Sequence, residues 1–235
     1  MATQSQINAH DALIDKLSTR FGKGLRPLFT SLVTELAFLG SNPSRTQVLA
    51  LFAPISAYVA NQRELLNEIY ASNILMNADV IDSSITSLDT ESIMQETLFN
   101  VQKTLETQQN TVINSVVLGG LTGAAIGVIL KDLRAIVSKS IKTITNTFNT
   151  IVRNFDGAVT ILRGSIAGID KYRYVGGLIK TSRRFCSSHN GQIMTVKEIN
   201  RIWRGSWGGK APGSPFVVRG GYNCRHIFVP IKETV

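Results

Sequence analysis

Apolar residues recur at three- and four-residue steps through the first 160 positions, and nowhere in that stretch do they alternate with a strand period. This pattern commits most of the chain to helix. Leu13, Leu17, Phe21, Leu25, Leu28, Leu32 and Leu36 fall on one stripe and predict an amphipathic helix over residues 10–39. Pro27 is expected to kink or split it. Gly40-Ser41-Asn42-Pro43-Ser44 is a break. A second helix is expected over residues 46–71, buried through Leu49, Phe52, Ile55, Val59 and Leu66, with Pro54 again threatening continuity. After a polar, irregular stretch, a third begins near Thr90 and runs through Met94, Leu98, Val101 and Leu105.

Residues 112–130 are the longest apolar stretch. Gly119, Gly123 and Gly127 stand four apart and form a smooth stripe on a helix, suited to close contact with another helix. The pure apolar run is short of the roughly 20 residues that a spanning helix needs. A helix stop at Gly119-Gly120, with a new helix capped at Thr122, is the simpler reading; membrane insertion of 112–130 is the alternative. Helical periodicity resumes over residues 131–155, with Lys131, Arg134, Lys139, Lys142 and Arg153 on its polar face. It fades around Gly164–Gly168.

From Ile169 the composition changes, and Gly, Arg, aromatic residues and both cysteines crowd together. Tyr172–Ile179 alternates as a strand, and His189-Asn190-Gly191 reads as a turn. Thr195 and Glu198 have capping-box spacing ahead of a short helix through Ile199, Ile202 and Trp203. Residues 205–215 read as a loop and Ile227–Ile231 as a closing strand. The expected fold is mainly α, with a long N-terminal helical region and a small C-terminal α+β domain. Along the chain this gives an acidic helical region (1–110), a glycine-containing helical connector (111–168) and a basic Cys/His-containing domain (169–235).

Charge follows the same division. Residues 1–110 carry seven Lys and Arg against eleven Asp and Glu, a net of −4; residues 111–235 carry eighteen against five, a net of +13. Such segregation calls for a polyanion or an acidic protein surface opposite the basic half. A composition that is 43% hydrophobic and 17% charged is that of a globular core, not a disordered tail. Two cysteines exclude a disulfide scaffold. The polar start, Met1–His10, does not read as a secretory signal.

Arg183, Arg184, Arg201, Arg204, Lys210 and Arg219 are the candidate cations for phosphate or for an acidic protein surface. Trp203, Trp207 and Tyr222 lie among them, the mixture that grips a sugar-phosphate backbone without reading sequence. Cys186-x2-His189 and Cys224-x-His226 supply four candidate zinc ligands. The same residues also fit a Cys186–Cys224 disulfide, or two reduced thiols packed in a small core; the cysteines approach one another in all three readings. No other cofactor motif is present: there is no Walker A sequence and no HExxH. Glu198 is the only carboxylate between Lys171 and Lys232, so neither an acid to orient a cysteine–histidine pair nor an acidic cluster for nuclease metals is available there. The chain is therefore read as non-enzymatic.

Thr181, Arg183, Arg184, Phe185, Cys186, His189 and Gly191, then Arg219-Gly220-Gly221-Tyr222-Asn223-Cys224-Arg225-His226 and Pro230, together resemble the C-terminal domain of the phage Mu protein F-like minor head proteins. The resemblance covers about residues 140–231, with its specific motifs within 172–231. The stretch from Gly205 to Gly221, with its two tryptophans, departs from the family pattern. The resemblance implies a bacteriophage virion protein, made in the bacterial host cytoplasm. It implies a place in the head interior or at the portal vertex, and a part in head morphogenesis and DNA packaging or delivery. The expected partners are the portal protein, further copies of the chain in a ring, and packaged double-stranded DNA without sequence specificity. An ejected protein, membrane-active through residues 112–130, is the alternative.

Overall fold

The computed structural model describes residues 2–40, 42–81, 88–122 and 125–232. The protein is mainly helical, with a small C-terminal antiparallel sheet. Helix α1 spans Gln4–Phe38, α2 Arg45–Ala50, α3 Ala53–Ala60, α4 Arg63–Asn77, α5 Leu88–Leu121 and α6 Ile126–Ile166. Strand β1 (Lys171–Val175) follows, then α7 (Arg184–His189), β2 (Ile193–Thr195), α8 (Val196–Ile202), α9 (Pro215–Val218) and β3 (Ile227–Ile231).

Proline placement explains where the helices depart from their periodicity. Pro27 lies inside α1, which continues unbroken to Phe38. Pro54 instead falls in the first turn of α3, where its missing N–H would have had no helical partner. Pro54 thus sets the first break in the expected single helix over 46–71, and a second break at Asn61-Gln62 makes it three. Gly119 and Gly120 stay helical, and α5 ends at Leu121. Thr122 closes that helix through its N–H to the Leu118 carbonyl and its hydroxyl to the Gly119 carbonyl, so it does not cap the next one. No helix among the described residues is long and apolar enough to cross a membrane.

The chain forms two compact units. They are assembled from separated stretches, whereas the sequence division runs along the chain. The helical unit comprises Lys16–Glu64 and Leu98–Phe148. Its core takes Leu17, Phe21, Leu25, Phe29 and Leu32 from α1, Phe52, Ile55 and Val59 from around α3, Val112 and Ile113 from α5, and Leu133, Ile144 and Phe148 from α6. Phe21 and Phe148 stack at 3.9 Å, and Phe29 meets Phe52 edge-on at 6.1 Å.

The mixed unit comprises Met1–Asp15, Leu65–Thr97 and Asn149–Val235. Its sheet has the order β2-β1-β3, with Tyr172 opposite Met194 on one side and Pro230 on the other. Pro230 is tolerated because β3 is an edge strand. Strand β1 ends at Val175, earlier than its alternation predicts, because Gly176 follows with its backbone pressed on His226; a Cβ there would lie 2.7 Å from the His226 Cα. Thr195 and Glu198 form the expected capping box of α8. One side of the sheet packs Tyr172, Tyr174, Phe185, Cys186, Met194, Ile199, Phe216, Cys224 and Phe228 into a core; Ala2, Ile7, Met76, Val175, Ile227 and Val229 form another.

Candidate functional site

Helix α7 carries Cys186 inward, while the segment just ahead of β3 delivers Cys224 and His226. The two sulfurs lie 3.7 Å apart as free thiols, well beyond the roughly 2.05 Å of a disulfide. The Tyr174 hydroxyl, from β1, lies 3.4 Å from Cys186 Sγ and 3.5 Å from Cys224 Sγ. His226 Nδ1 is 4.0 Å from Cys224 Sγ, and its ring stacks on Tyr174 at 5.0 Å. One donor atom each from Cys186, Cys224 and His226 can be chosen so that all lie within 4.8 Å of one another.

His189, the fourth residue of the expected ligand set, is elsewhere. Its Nδ1 bonds the Phe185 carbonyl at 2.8 Å, the backbone one turn earlier in the same short helix, and its ring rests on Phe185. The cluster is thus two thiols and one imidazole. The hydrogen bond with Cys186 holds Cys224 well below the ordinary thiol range against the opposing effect of burial, helped by His226 and Tyr174. The same thiol–thiol bond, with burial, pushes Cys186 up. Burial first, and the neighbouring sulfurs second, keep the Tyr174 phenol protonated.

A cavity of about 310 Å³ opens onto all three residues. Thr181, Arg183, Tyr222, Asn223 and Arg225 also line it. Gly220 covers the cluster, and a Cβ at that position would collide with Cys186 Sγ and come within 3.0 Å of Cys224 Sγ. The sequence signals for Tyr174 and Gly220 were only strand alternation and a place in the Arg219–His226 run.

The six candidate cations divide evenly. Arg184, Arg201 and Arg204 are exposed. Arg183 is half-buried and donates to the Tyr222 carbonyl. Lys210 donates to the Trp203 and Gly205 carbonyls at 2.5 and 2.8 Å and sits over both indole rings. Arg219 is fully buried and donates to Asp156 Oδ2 at 2.5 Å, so it faces no phosphate in this fold. Nor are the tryptophans free stacking platforms. Trp207 stacks on Phe185 at 4.3 Å, and the two indoles donate to the Gly213 and Gly220 carbonyls. Arg225 is more than half exposed and pairs with Asp15 at 3.1 Å.

Of the glycine stripe, Gly119 meets α6 closely: a Cβ would lie 3.0 Å from Ile129 Cγ1, so this approach is made within the chain. Gly127 has nothing within 4 Å of its would-be Cβ, and Gly123 lies outside the described residues.

Comparison with known protein families, with curated proteins and with solved structures gave no match.

Proposed function

We propose that the chain is a structural, non-enzymatic virion protein of the minor head type. It belongs in the head interior or at the portal vertex, where it supports head assembly and the packaging or delivery of DNA. One observation carries this reading. The two halves of the motif that resembles the Mu protein F-like domain, Thr181–Cys186 and Tyr222–His226, are far apart in sequence yet line one cavity. That the two segments meet at one place supports reading them as parts of one motif.

The partners follow from charge and exposure. Arg184, Arg201 and Arg204, exposed on a module of high positive charge, suit the phosphates of packaged double-stranded DNA. Large apolar side chains such as Phe38, Leu75, Phe99 and Leu121 stand exposed, and suit contacts with portal subunits and with further copies of the chain in a ring.

The test of the DNA contact uses the full chain on duplex DNA of arbitrary sequence across a salt series. Affinity should fall steeply with salt, and replacing Arg184, Arg201 and Arg204 together by Glu should make the log–log slope shallower by about 2–3. A wild-type chain without salt-dependent DNA retention would remove DNA from the reading and leave the cations to an acidic protein surface.

A further inference from the structure

We propose that Cys186, Cys224 and His226 form a three-ligand site for a thiophilic divalent ion of the zinc type, with the fourth position held by water from the adjoining cavity. This goes beyond the virion role and does not depend on it.

The geometry carries the inference. A tetrahedral ion with metal–sulfur bonds of about 2.3 Å holds its two sulfurs about 3.8 Å apart. Cys186 and Cys224 already stand 3.7 Å apart, too far for a disulfide and within about 0.1 Å of that edge, so both sulfurs could meet one ion with little movement. Metal–nitrogen bonds of about 2.0–2.1 Å set a sulfur–nitrogen edge of about 3.5 Å. The observed 4.0 Å between Cys224 Sγ and His226 Nδ1 needs only a small ring movement to meet it.

The surroundings fit as well. All three residues are at least 95% buried. Tyr174 braces the site twice, stacking on the imidazole and reaching both sulfurs with its hydroxyl, as outer-shell groups do around metal ligands. Gly220 leaves the space beside the sulfurs free of a side chain. Three protein ligands beside a cavity leave the fourth position to solvent, unlike a closed four-ligand structural site.

The test uses the full chain, purified with reduced thiols and stripped of metal, then titrated with Co²⁺ and competed with Zn²⁺. The expected result is one ion per chain, with thiolate-to-cobalt charge transfer and the intense visible bands of four-coordinate cobalt. Cys186→Ser or Cys224→Ser should weaken binding by more than about 100-fold, and His226→Asn comparably. Tyr174→Phe should cost about 10-fold, as loss of an outer-shell partner does. His189→Ala should leave affinity within about twofold, since that ring is bound to its own helix. Should a cysteine variant fail to fold, the wild-type spectrum and stoichiometry decide alone. A folded, reduced wild-type chain that binds no stoichiometric cobalt, or binds it without thiolate bands, overturns the proposal. So does a His189→Ala loss as large as that of His226→Asn.

Discussion

Asp156 sits inside the apolar stripe of α6, between Val152 and Val159, where a carboxylate is costly unless it is fully paired. It is paired on every side. Its Oδ1 takes His10 Nε2 at 2.8 Å and Asn73 Nδ2 at 2.6 Å, and its Oδ2 takes the Arg219 guanidinium. Burial pushes its pKa up, but His10 and Arg219 outweigh burial and hold it well below the usual carboxylate range. The folded state therefore favours the charged form. That stability is fully present above the unfolded pKa of about 3.9 and is lost as pH falls from there through the lower folded value. Urea midpoints at stepped pH should decline below about pH 4, and the decline should be reduced in Asp156→Asn. Asp156→Ala strands a buried guanidinium and should cost about 3–5 kcal/mol by the same measurement. None of this was legible in the sequence. Arg219 reads as one more cation in a basic segment, and its partner lies 63 residues away on another element. His189 and His226 likewise read as equals, because spacing does not say which imidazole its own helix will claim.

Elements were more legible than pairings. The α1 stripe, the α8 capping box and β3 stand where local pattern puts them, since period and capping act over a few residues, whereas Leu49, expected on a buried face, is exposed on the short α2. The glycines divided differently from their spacing. The regular stripe yields one close approach among its described members. Two α6 glycines outside it make tight contacts. Gly157 lies under the Phe216 carbonyl, and Gly164 lies under the Tyr172 hydroxyl. Only the tertiary partner distinguishes them, so sequence spacing alone reads the fading helix near Gly164 as an end and not as a docking face. Gly157→Ala should cost about 1–3 kcal/mol, because a backbone carbonyl must move. Gly127→Ala, helical and with nothing near it, should hold stability or raise it by up to about 1 kcal/mol. Equal losses in thermal melts of the two variants would contradict this account of α6.

At the scale of the whole molecule, the charge segregation seen along the sequence resolves into two uses. Half of the candidate cations bind within the mixed unit: Arg219 holds Asp156, Lys210 holds the tryptophan loop, and Arg183 holds the Tyr222 carbonyl. Arg184, Arg201 and Arg204 remain exposed, and in the proposed reading they face DNA or an acidic protein surface. Individual replacements should separate the two groups. Arg219→Ala should lower stability, whereas Arg201→Ala should leave the melting temperature unchanged while weakening DNA retention at low salt. The proposed virion role is tested most directly by quantitative mass spectrometry of nuclease-treated phage particles purified from a culture that produces this chain. The expected result is the chain present in few copies per particle, in fixed ratio to the portal protein. Its absence from mature particles and from assembling heads alike would contradict the account.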